Sequence, residues 1–239
     1  MNKALKIQEL AIILTAKNLN PTILNPDFLK YTGIVPADWE LAKKPVYTNG
    51  VVKILFNNGL GIFAQPNQIT LAEILGNKSL TELALATIAR KLAEKLSQVE
   101  YQAVGINPKG FVTFDSSTAA YQYICHQLLS PGSWQDFGEE KMSAALQLAY
   151  PLQRGQLILS INQANIQFSE QTVPVILFSG NCNYRLAGDS PAERSQNLYQ
   201  LLENWQESVT TFQKLVEEKF LPLANQPATI PVLTPVAIS

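Results

Sequence analysis

The stretch ILFNNGLGIFAQPNQITL, residues 54–71, contains two apolar, β-rich runs joined by Asn58-Gly59. Asn-Gly between such runs is a strong hairpin signal, because a type I′ turn requires positive φ at both of its central positions. The stretch therefore predicts a β-hairpin whose two β-rich runs occupy residues 46–56 and 60–74. We expect an antiparallel sheet to be built outward from this hairpin.

The second run of the hairpin carries an uncharged polar patch, Gln65, Pro66, Asn67 and Gln68. Proline cannot donate a ladder hydrogen bond, so a strand through Pro66 is expected to lie at a sheet edge or to carry a bulge. Two interpretations stay open: the three amide side chains either satisfy a locally broken ladder or bind a partner. We therefore treat Gln65, Asn67 and Gln68 as candidate interaction residues.

The segment before the hairpin predicts one strand and two short helices. Residues 5–16 alternate apolar and polar side chains and then become fully apolar, as in a strand that runs toward the centre of a sheet. Asn25 is a plausible N-cap for the first helix, because proline follows it at the first helical position. Trp39 and Leu41 are expected to anchor the second helix against the body of the protein.

The order of elements then repeats. Ser79 and Glu82 form a capping-box pattern, which predicts the start of a long amphipathic helix. The second half begins with a predicted strand, which is broken at Asn107-Pro108, and a helix capped by Asp115 or Ser116. Three strands and a long helix that begins after Ser190 complete it. The ranges of the second half are 101–114, 115–130, 141–150, 155–168, 172–185 and 190–220.

This order predicts an α+β protein with two similar halves, residues 1–98 and 99–220, that form one compact domain. Each half is expected to contribute antiparallel strands, with amphipathic helices on one face of the sheet. The order resembles the duplicated saddle of TATA-box-binding-protein-like folds, although a fold does not imply a function. Residues 221–239 form a proline-rich tail without charge, which we expect to be extended and not helical.

The composition limits the classes of partner that we expect this protein to bind. Charged residues make up 15% of the chain, against about 25% in typical globular proteins, while hydrophobic residues make up 46%. The net charge of -1 offers no general attraction to phosphate backbones or anionic lipids, so we expect neither nucleic acid nor a membrane as partner. The start of the chain fits neither a signal peptide nor a membrane span, which predicts a cytoplasmic protein.

Candidate nucleophiles are few. Cys125 and His126 are consecutive residues of a predicted helix, so their side chains point about 100° apart and do not form a catalytic pair. Cys182, at a predicted strand end, could approach His126 in the folded chain. The two cysteines lack the spacing of a zinc site and are too far apart in sequence to suggest a disulfide framework. We expect both to be small buried residues.

Other chemistry depends on carboxylates or exposed aromatics. Four carboxylates lie on or beside predicted strands and could meet in the sheet, and these are Glu9, Glu73, Glu100 and Asp115. No phosphate-binding loop, nucleophile elbow or metal-binding motif is present in the sequence. We therefore predict no catalytic, cofactor-binding or metal-binding residues. Trp134 and Phe137 could form an apolar interaction surface, and we add them to the candidate interaction residues.

The assembled stretch ILNPDFLKYTGIVPADWELAKKPVYTNGVVKILFNNGLGIFAQPNQITLAEI, residues 23–74, resembles an uncharacterised family of conserved cyanobacterial proteins. The resemblance covers most of the chain. It implies a cytoplasmic origin and brings no activity, cofactor or site residue to this sequence.

Three functions are compatible with these observations. The leading hypothesis is a non-enzymatic protein-binding or assembly protein that acts through its sheet face or through an oligomer interface, with a homodimer or another protein as partner. The alternative is a carrier for a small apolar ligand, with a cavity between sheet and helices. The third is an enzyme that uses Cys182 or a carboxylate cluster.

Overall fold

The computed structural model describes residues 3–140, 142–168 and 171–224. The nine strands in these ranges are β1 (Lys6–Lys17), β2 (Val46–Thr48), β3 (Val51–Leu55), β4 (Leu60–Gln65), β5 (Gln68–Ile74), β6 (Glu100–Thr113), β7 (Ala145–Leu152), β8 (Gly155–Phe168) and β9 (Gln171–Arg185). The helices are α1 (Pro26–Tyr31), α2 (Leu85–Lys95), α3 (Ser117–Gln122), α4 (Pro191–Glu203), α5 (Trp205–Leu215) and α6 (Leu221–Ala224). Two π-helical turns follow α3 and α5, at Tyr123–Leu128 and Val216–Phe220.

These strands form one antiparallel sheet in the order β2-β3-β4-β5-β1-β6-β9-β8-β7. The long strands β1 and β6 pair with each other at its centre, and β2 and β7 are its two edges. The sheet with its helices makes this an α+β protein, which confirms that part of the prediction. The strand predicted at residues 5–16 is confirmed as β1, and those predicted in the second half are confirmed as β6 to β9.

The helices bury one face of the sheet. Ile12 on β1 faces Leu71 on β5 and Ile106 on β6, and all three side chains are fully buried. Helix α2 packs on β1 and β5, whereas α4 and α5 pack on β6. Because strand residues alternate between faces, this apolar row identifies the helix side of the whole sheet. The complete row is Ile54, Ile62, Leu71, Ile12, Ile106, Cys182 and Leu157.

The hairpin at residues 57–59 is confirmed, but its turn type was predicted wrongly. The amide of Gly59 donates to the carbonyl of Phe56 at 3.1 Å, and the amide of Phe56 donates to the carbonyl of Leu60 at 2.9 Å. Gly59 has φ of 88°, whereas Asn58 is not left-handed. This is a three-residue loop in which a type I turn is followed by a left-handed glycine, not a type I′ turn.

The run at residues 46–56 is itself a hairpin. Asn49 and Gly50 both have positive φ, 46° and 76°, which is type I′ geometry between β2 and β3. The run at residues 60–74 is a third hairpin, because Gln65 pairs with Gln68 across Pro66 and Asn67. The predicted edge strand or bulge at Pro66 is therefore wrong, since this proline lies in a turn and leaves no broken ladder to satisfy.

One of the two short helices predicted before the hairpin is confirmed and the other is not. Asn25 caps α1 as predicted, its Oδ1 accepting from the amide of Phe28 at 2.9 Å. The second short helix near Trp39 is absent from the described residues 36–45. The anchoring role of this segment is nevertheless present: the Trp39 ring lies 5.2 Å from the Phe56 ring, and Leu41 forms a β-bridge with Phe56.

The start of α2 also differs from the prediction. Ser79 caps a 3-10 turn, Leu80–Glu82, and its amide donates to a carboxylate oxygen of Glu82 at 2.7 Å. Helix α2 begins only at Leu85. The capping box therefore stabilises the connection before the helix, and another residue, described below, satisfies the first amides of α2.

The C-terminal helix is interrupted. Ser190 caps α4 with a capping box, as predicted, but the single long helix breaks at Asn204 into α4 and α5. Leu221–Ala224 form the helical turn α6, so the prediction that the tail from residue 221 cannot be helical is wrong for its first four residues. The rest of the tail, residues 225–239, lies outside the described residues.

Candidate functional site

The face of the sheet opposite the helices remains accessible to solvent at its centre. Ala11 on β1 faces Ala72 on β5 and Asn107 on β6. Phe111 and Val175 are buried, at the end of this face nearest α3. We call the accessible centre the open face. It comprises the half-buried or exposed side chains of Lys53, Leu55, Phe63, Thr70, Ala72, Glu9, Ala11, Ile13, Asn107, Lys109, Ser179, Asn181, Ile158, Ser160, Gln147 and Ala149.

The first half of the open face, on β3, β4, β5 and β1, is mainly apolar. A Cβ atom on Gly61 would lie 2.8 Å from Cδ2 of Leu55 and 2.9 Å from Cε2 of Phe63. These two side chains therefore lie over the glycine, which no larger residue could replace without moving them. Lys53 Nζ lies 5.3 Å from the centroid of the Phe63 ring, at cation–π distance.

The second half of the open face, on β6, β9, β8 and β7, is rich in amides and hydroxyls. A Cβ atom on Gly105 would lie 3.2 Å from Oδ1 of Asn107 and 3.7 Å from Oδ1 of Asn181. The predicted break at Asn107-Pro108 is wrong, because β6 runs through both residues as one strand and its register with β9 is the same at Ile106 as at Lys109.

The side-chain oxygen of Asn107 differs from most buried polar atoms in its hydrogen bonding. It is shielded from solvent and finds no hydrogen-bond donor in the described part of the chain. Leaving a buried acceptor unpaired costs about 1–3 kcal/mol. Such an atom is uncommon in a well-packed protein, and it lies at the centre of the open face.

Charges of both signs are sparse on the open face. Glu9 lies opposite Lys109 in the register between β1 and β6, and Lys53 lies on the far side of the apolar half. The face therefore lacks the clustered positive charge that binds phosphate backbones.

The structure places the predicted patch at one end of the open face. Gln65 and Asn67 are exposed, and Gln68 is half-buried, its Nε2 donating to Oγ1 of Thr70 at 3.0 Å. The carbonyl of Asn67 accepts from the amide of Ala16 at 2.9 Å, which fixes the turn to β1. Gln65 and Gln68 thus extend the polar surface of this face, and their binding role stays a prediction.

Trp134 and Phe137 lie elsewhere. They belong to the loop around a 3-10 turn, Ser133–Asp136, beyond the end of β6 that is remote from Gln68, and 53% and 89% of their surfaces are exposed. The Nε2 atom of Gln135 donates to the carbonyl of Cys125 at 2.7 Å and fastens the loop to the π-helical turn. The structure does not bring these aromatics to the open face.

A cleft of about 430 Å³ lies beside this loop. Its lining includes Tyr121, His126, Gln135 and Asp136. The rings of Tyr121 and His126 meet edge to face, with centroids 5.8 Å apart. His126 is exposed while the neighbouring Cys125 is buried, so the two side chains point in different directions, as the sequence predicts.

Both thiols are buried in surroundings that favour the protonated form. Burial raises the pKa of Cys125, and it raises the pKa of Cys182 to about 11. The Cys182 thiol lies 3.8 Å from the carbonyl of Ser208, whose hydroxyl is 2.9 Å from the Tyr184 hydroxyl. A nucleophilic cysteine needs the opposite environment, one that stabilises the thiolate.

We expect the native protein to react slowly with a disulfide reagent such as DTNB. At pH 8 a thiol with a pKa near 11 is about 0.1% ionised, against about a quarter for an ordinary cysteine, and burial slows access further. The pseudo-first-order rate at Cys182 should be at least about a hundredfold lower than in urea-unfolded protein, and the rate at Cys125 should also be lower. Rapid native labelling of either thiol, located by peptide mass spectrometry, would contradict this expectation.

The four candidate carboxylates do not converge. Glu73 is buried on the helix side, whereas Glu9, one position away in the β1–β5 register, lies on the open face. Glu100 lies 3.9 Å from Lys17 at the end of β6, and Asp115 is exposed beyond its other end. In the described ranges, no three His, Cys, Asp or Glu side chains are close enough together to hold a metal ion.

The alternation of side chains along each strand would have identified the residues of the open face, but only if the order of the strands in the sheet had been known. Ala11, Ile13 and Phe63 are small or apolar residues of the kind that sequence patterns assign to a core.

Among the described residues, no helix is long and apolar enough to cross a lipid bilayer. No protein-family model matches the chain, and a comparison with curated proteins gives no match either.

Proposed function

We propose that this is a non-enzymatic protein-binding or assembly protein that binds a protein partner on the open face of its sheet. The observation that carries the proposal is the combination on one accessible surface of apolar side chains around Phe63 and half-buried amide side chains around Asn107. Protein interfaces have this character: an apolar centre, few charges, and hydrogen-bonding groups that a partner can satisfy.

The other functions have weaker support. The raised pKa values of Cys125 and Cys182 favour unreactive thiols, and the balanced charge of the open face favours protein over nucleic acid. The space between sheet and helices is occupied by fully buried side chains, such as Ile12, Leu92 and Phe212, so no observation favours a ligand carrier. Free thiols support the expected cytoplasmic location.

We further infer that the two halves are a structural duplication, related to the saddle architecture. The strand order supports this inference, because β3-β4-β5-β1 in one half corresponds to β7-β8-β9-β6 in the other, with β1 beside β6. Each half also begins with its central strand and ends with helices on the same face. In a saddle of this kind, the face without helices is the surface left for a partner.

A photo-crosslinking amino acid at Phe63 tests the proposal. Phe63 lies on the open face, so a bound partner should be crosslinked there and identified by mass spectrometry in extracts of the source cells. The same amino acid at Thr210, an exposed position on α5, is the matched control on the helix side. We expect an adduct at Phe63 that is absent at Thr210.

The identified partner is then titrated against two arginine variants. Ala72→Arg places a bulky charge at the centre of the open face and should weaken binding at least about tenfold, whereas Thr210→Arg should not change it. Equal crosslinking at both positions, or no loss of affinity with Ala72→Arg, would contradict the proposal.

A further inference from the structure

Strand β7 is an edge with unusual features. It is the last strand of the sheet within the described ranges, and residues 142–152 contain no charge. Its register with β8 runs without a bulge from Ala145, opposite Asn162, to Leu152, opposite Gly155. A long, regular, uncharged edge is one that proteins normally protect, because its free backbone groups can pair with another strand.

The other edge of the sheet is protected in the usual way. Strand β2 has only three residues and ends in the tight turn at Asn49. Lys43, Lys44 and Pro45 precede it directly. Short length and lysine both discourage pairing between sheet edges, so the two edges differ in what they can accept.

Proline defines which groups of β7 point outward. A proline in an edge strand turns its nitrogen away from the ladder, so Pro151 directs its nitrogen away from β8. Residues two positions apart share this orientation. Ala145, Gln147 and Ala149 therefore present their amides and carbonyls to the outside, and their side chains are exposed.

The helix side of β7 is also incomplete. The alternate residues Leu146, Leu148, Tyr150 and Leu152 are half-buried, although their equivalents on the neighbouring strand, such as Leu159, are fully buried. A further strand beside β7 would cover these apolar side chains and satisfy the outward backbone groups together.

We propose that this further strand is β7 of a second copy, paired antiparallel about a two-fold axis at Gln147. In this register Gln147 faces Gln147 of the second copy, and Ala145 faces Ala149. These three pairs supply about six backbone hydrogen bonds, two for each pair. Pro151 of each copy then lies at an end of the paired segment, where the absence of its amide hydrogen removes the fewest hydrogen bonds between the strands.

The same register is complementary in side chains. Leu146 meets Leu148 of the second copy on the helix side, which buries leucine against leucine. The contact is isologous, so it closes as a dimer. It uses the backbone of the sheet edge, and although Gln147 and Ala149 also belong to the open face, it does not depend on a partner bound at the centre of that face.

A charge exchange at the axis tests the register. Gln147→Lys places two lysines directly opposite each other, and Gln147→Glu does the same with two carboxylates. Each variant alone should weaken the dimer about tenfold, because like charges on paired strands repel and the amide pair is lost. An equal mixture of the two variants should form mixed dimers of at least wild-type stability, detected by native mass spectrometry and sedimentation velocity.

Controls separate this contact from misfolding and from the open face. Gln156→Lys places the same charge on exposed β8, opposite Pro151, and should leave the dimer intact, as should Ala72→Arg. Far-ultraviolet circular dichroism checks that each variant is folded. A wild-type chain that remains monomeric at about 100 µM would overturn the proposal. So would Gln147 variants that dimerise like wild type, or that fail to prefer each other.

Discussion

Replacing Glu73 by alanine should lower the free energy of unfolding by about 3 kcal/mol, because a buried charge network is then broken on one side. Only 1% of the Glu73 side chain is exposed. Its Oε1 accepts from Nζ of Lys78 at 2.8 Å, and its Oε2 accepts from the amides of Ala84 and Leu85 at 2.8 and 3.0 Å. Urea denaturation followed by circular dichroism measures the loss.

The physical reason is that Glu73 caps helix α2 from a strand. The residue before α2, Ala84, has no side chain that could accept from the first amides of the helix, so the carboxylate of β5 takes that role. A negative charge at a helix N-terminus also interacts favourably with the helix dipole. Glu73→Ala leaves two amides and the ammonium of Lys78 without this acceptor.

Two further variants sharpen the test. Glu73→Gln keeps the shape and one acceptor oxygen, so it should lose less stability than Glu73→Ala. Glu94→Ala removes an exposed carboxylate that pairs with Arg90 at 3.0 Å within α2, and should cost less than about 1 kcal/mol. If Glu73→Ala costs no more than Glu94→Ala, the cap contributes nothing and the interpretation of this network is wrong.

The start of α2 shows where sequence reasoning reaches its limit. Ser79 and Glu82 do form the capping box that the pattern predicts, but they cap a 3-10 turn and not the helix. The actual cap, Glu73, lies on β5, eleven residues before Ala84 and outside any local capping pattern. Only the tertiary approach of the strand to the helix end makes this carboxylate a cap, and no local pattern encodes that approach.

The hairpins show the same limit in another form. Asn-Gly occurs at both Asn49 and Asn58, and both mark turns, as the local chemistry dictates. Only the first has type I′ geometry, because the second loop contains one more residue, Asn57, and uses a left-handed glycine to return the chain. The sequence prediction located the turn at Asn58-Gly59 and missed the one at Asn49-Gly50, which it placed inside a single run at residues 46–56, and loop length decided the geometry of each turn.

The candidate site was predictable in its chemistry and not in its place. The shortage of charge and the amide side chains of Gln65, Asn67 and Gln68 predicted an interaction surface of this character. The strand order that puts Ala11 between Ala72 and Asn107 could not be derived from one sequence, because β1 pairs with strands more than fifty residues away. Trp134 and Phe137 were chosen for residue type alone, and they lie outside this surface.

Replacing Phe212 by alanine should lower the free energy of unfolding by about 3–5 kcal/mol, the usual cost of a large cavity in a packed core. Phe212 is fully buried on α5 and packs on the second half of the sheet. It lies directly on Gly180 of β9, where a Cβ atom would be 2.7 Å from its Cδ2 atom and 3.2 Å from Cγ of Pro108. Urea denaturation again measures the loss.

The glycine and the phenylalanine should be energetically coupled. Gly180→Ala alone should cost about 1–3 kcal/mol, because its new methyl group overlaps the Phe212 ring. In the Phe212→Ala background the methyl group enters the cavity, so the same change should cost at least about 1 kcal/mol less. Ser208→Ala with Gly180→Ala is the comparison pair, since Ser208 lies one turn away on the same helix. If the costs of Gly180→Ala and Phe212→Ala simply add, Phe212 does not require the glycine, and the close packing of α5 on the sheet must have another cause.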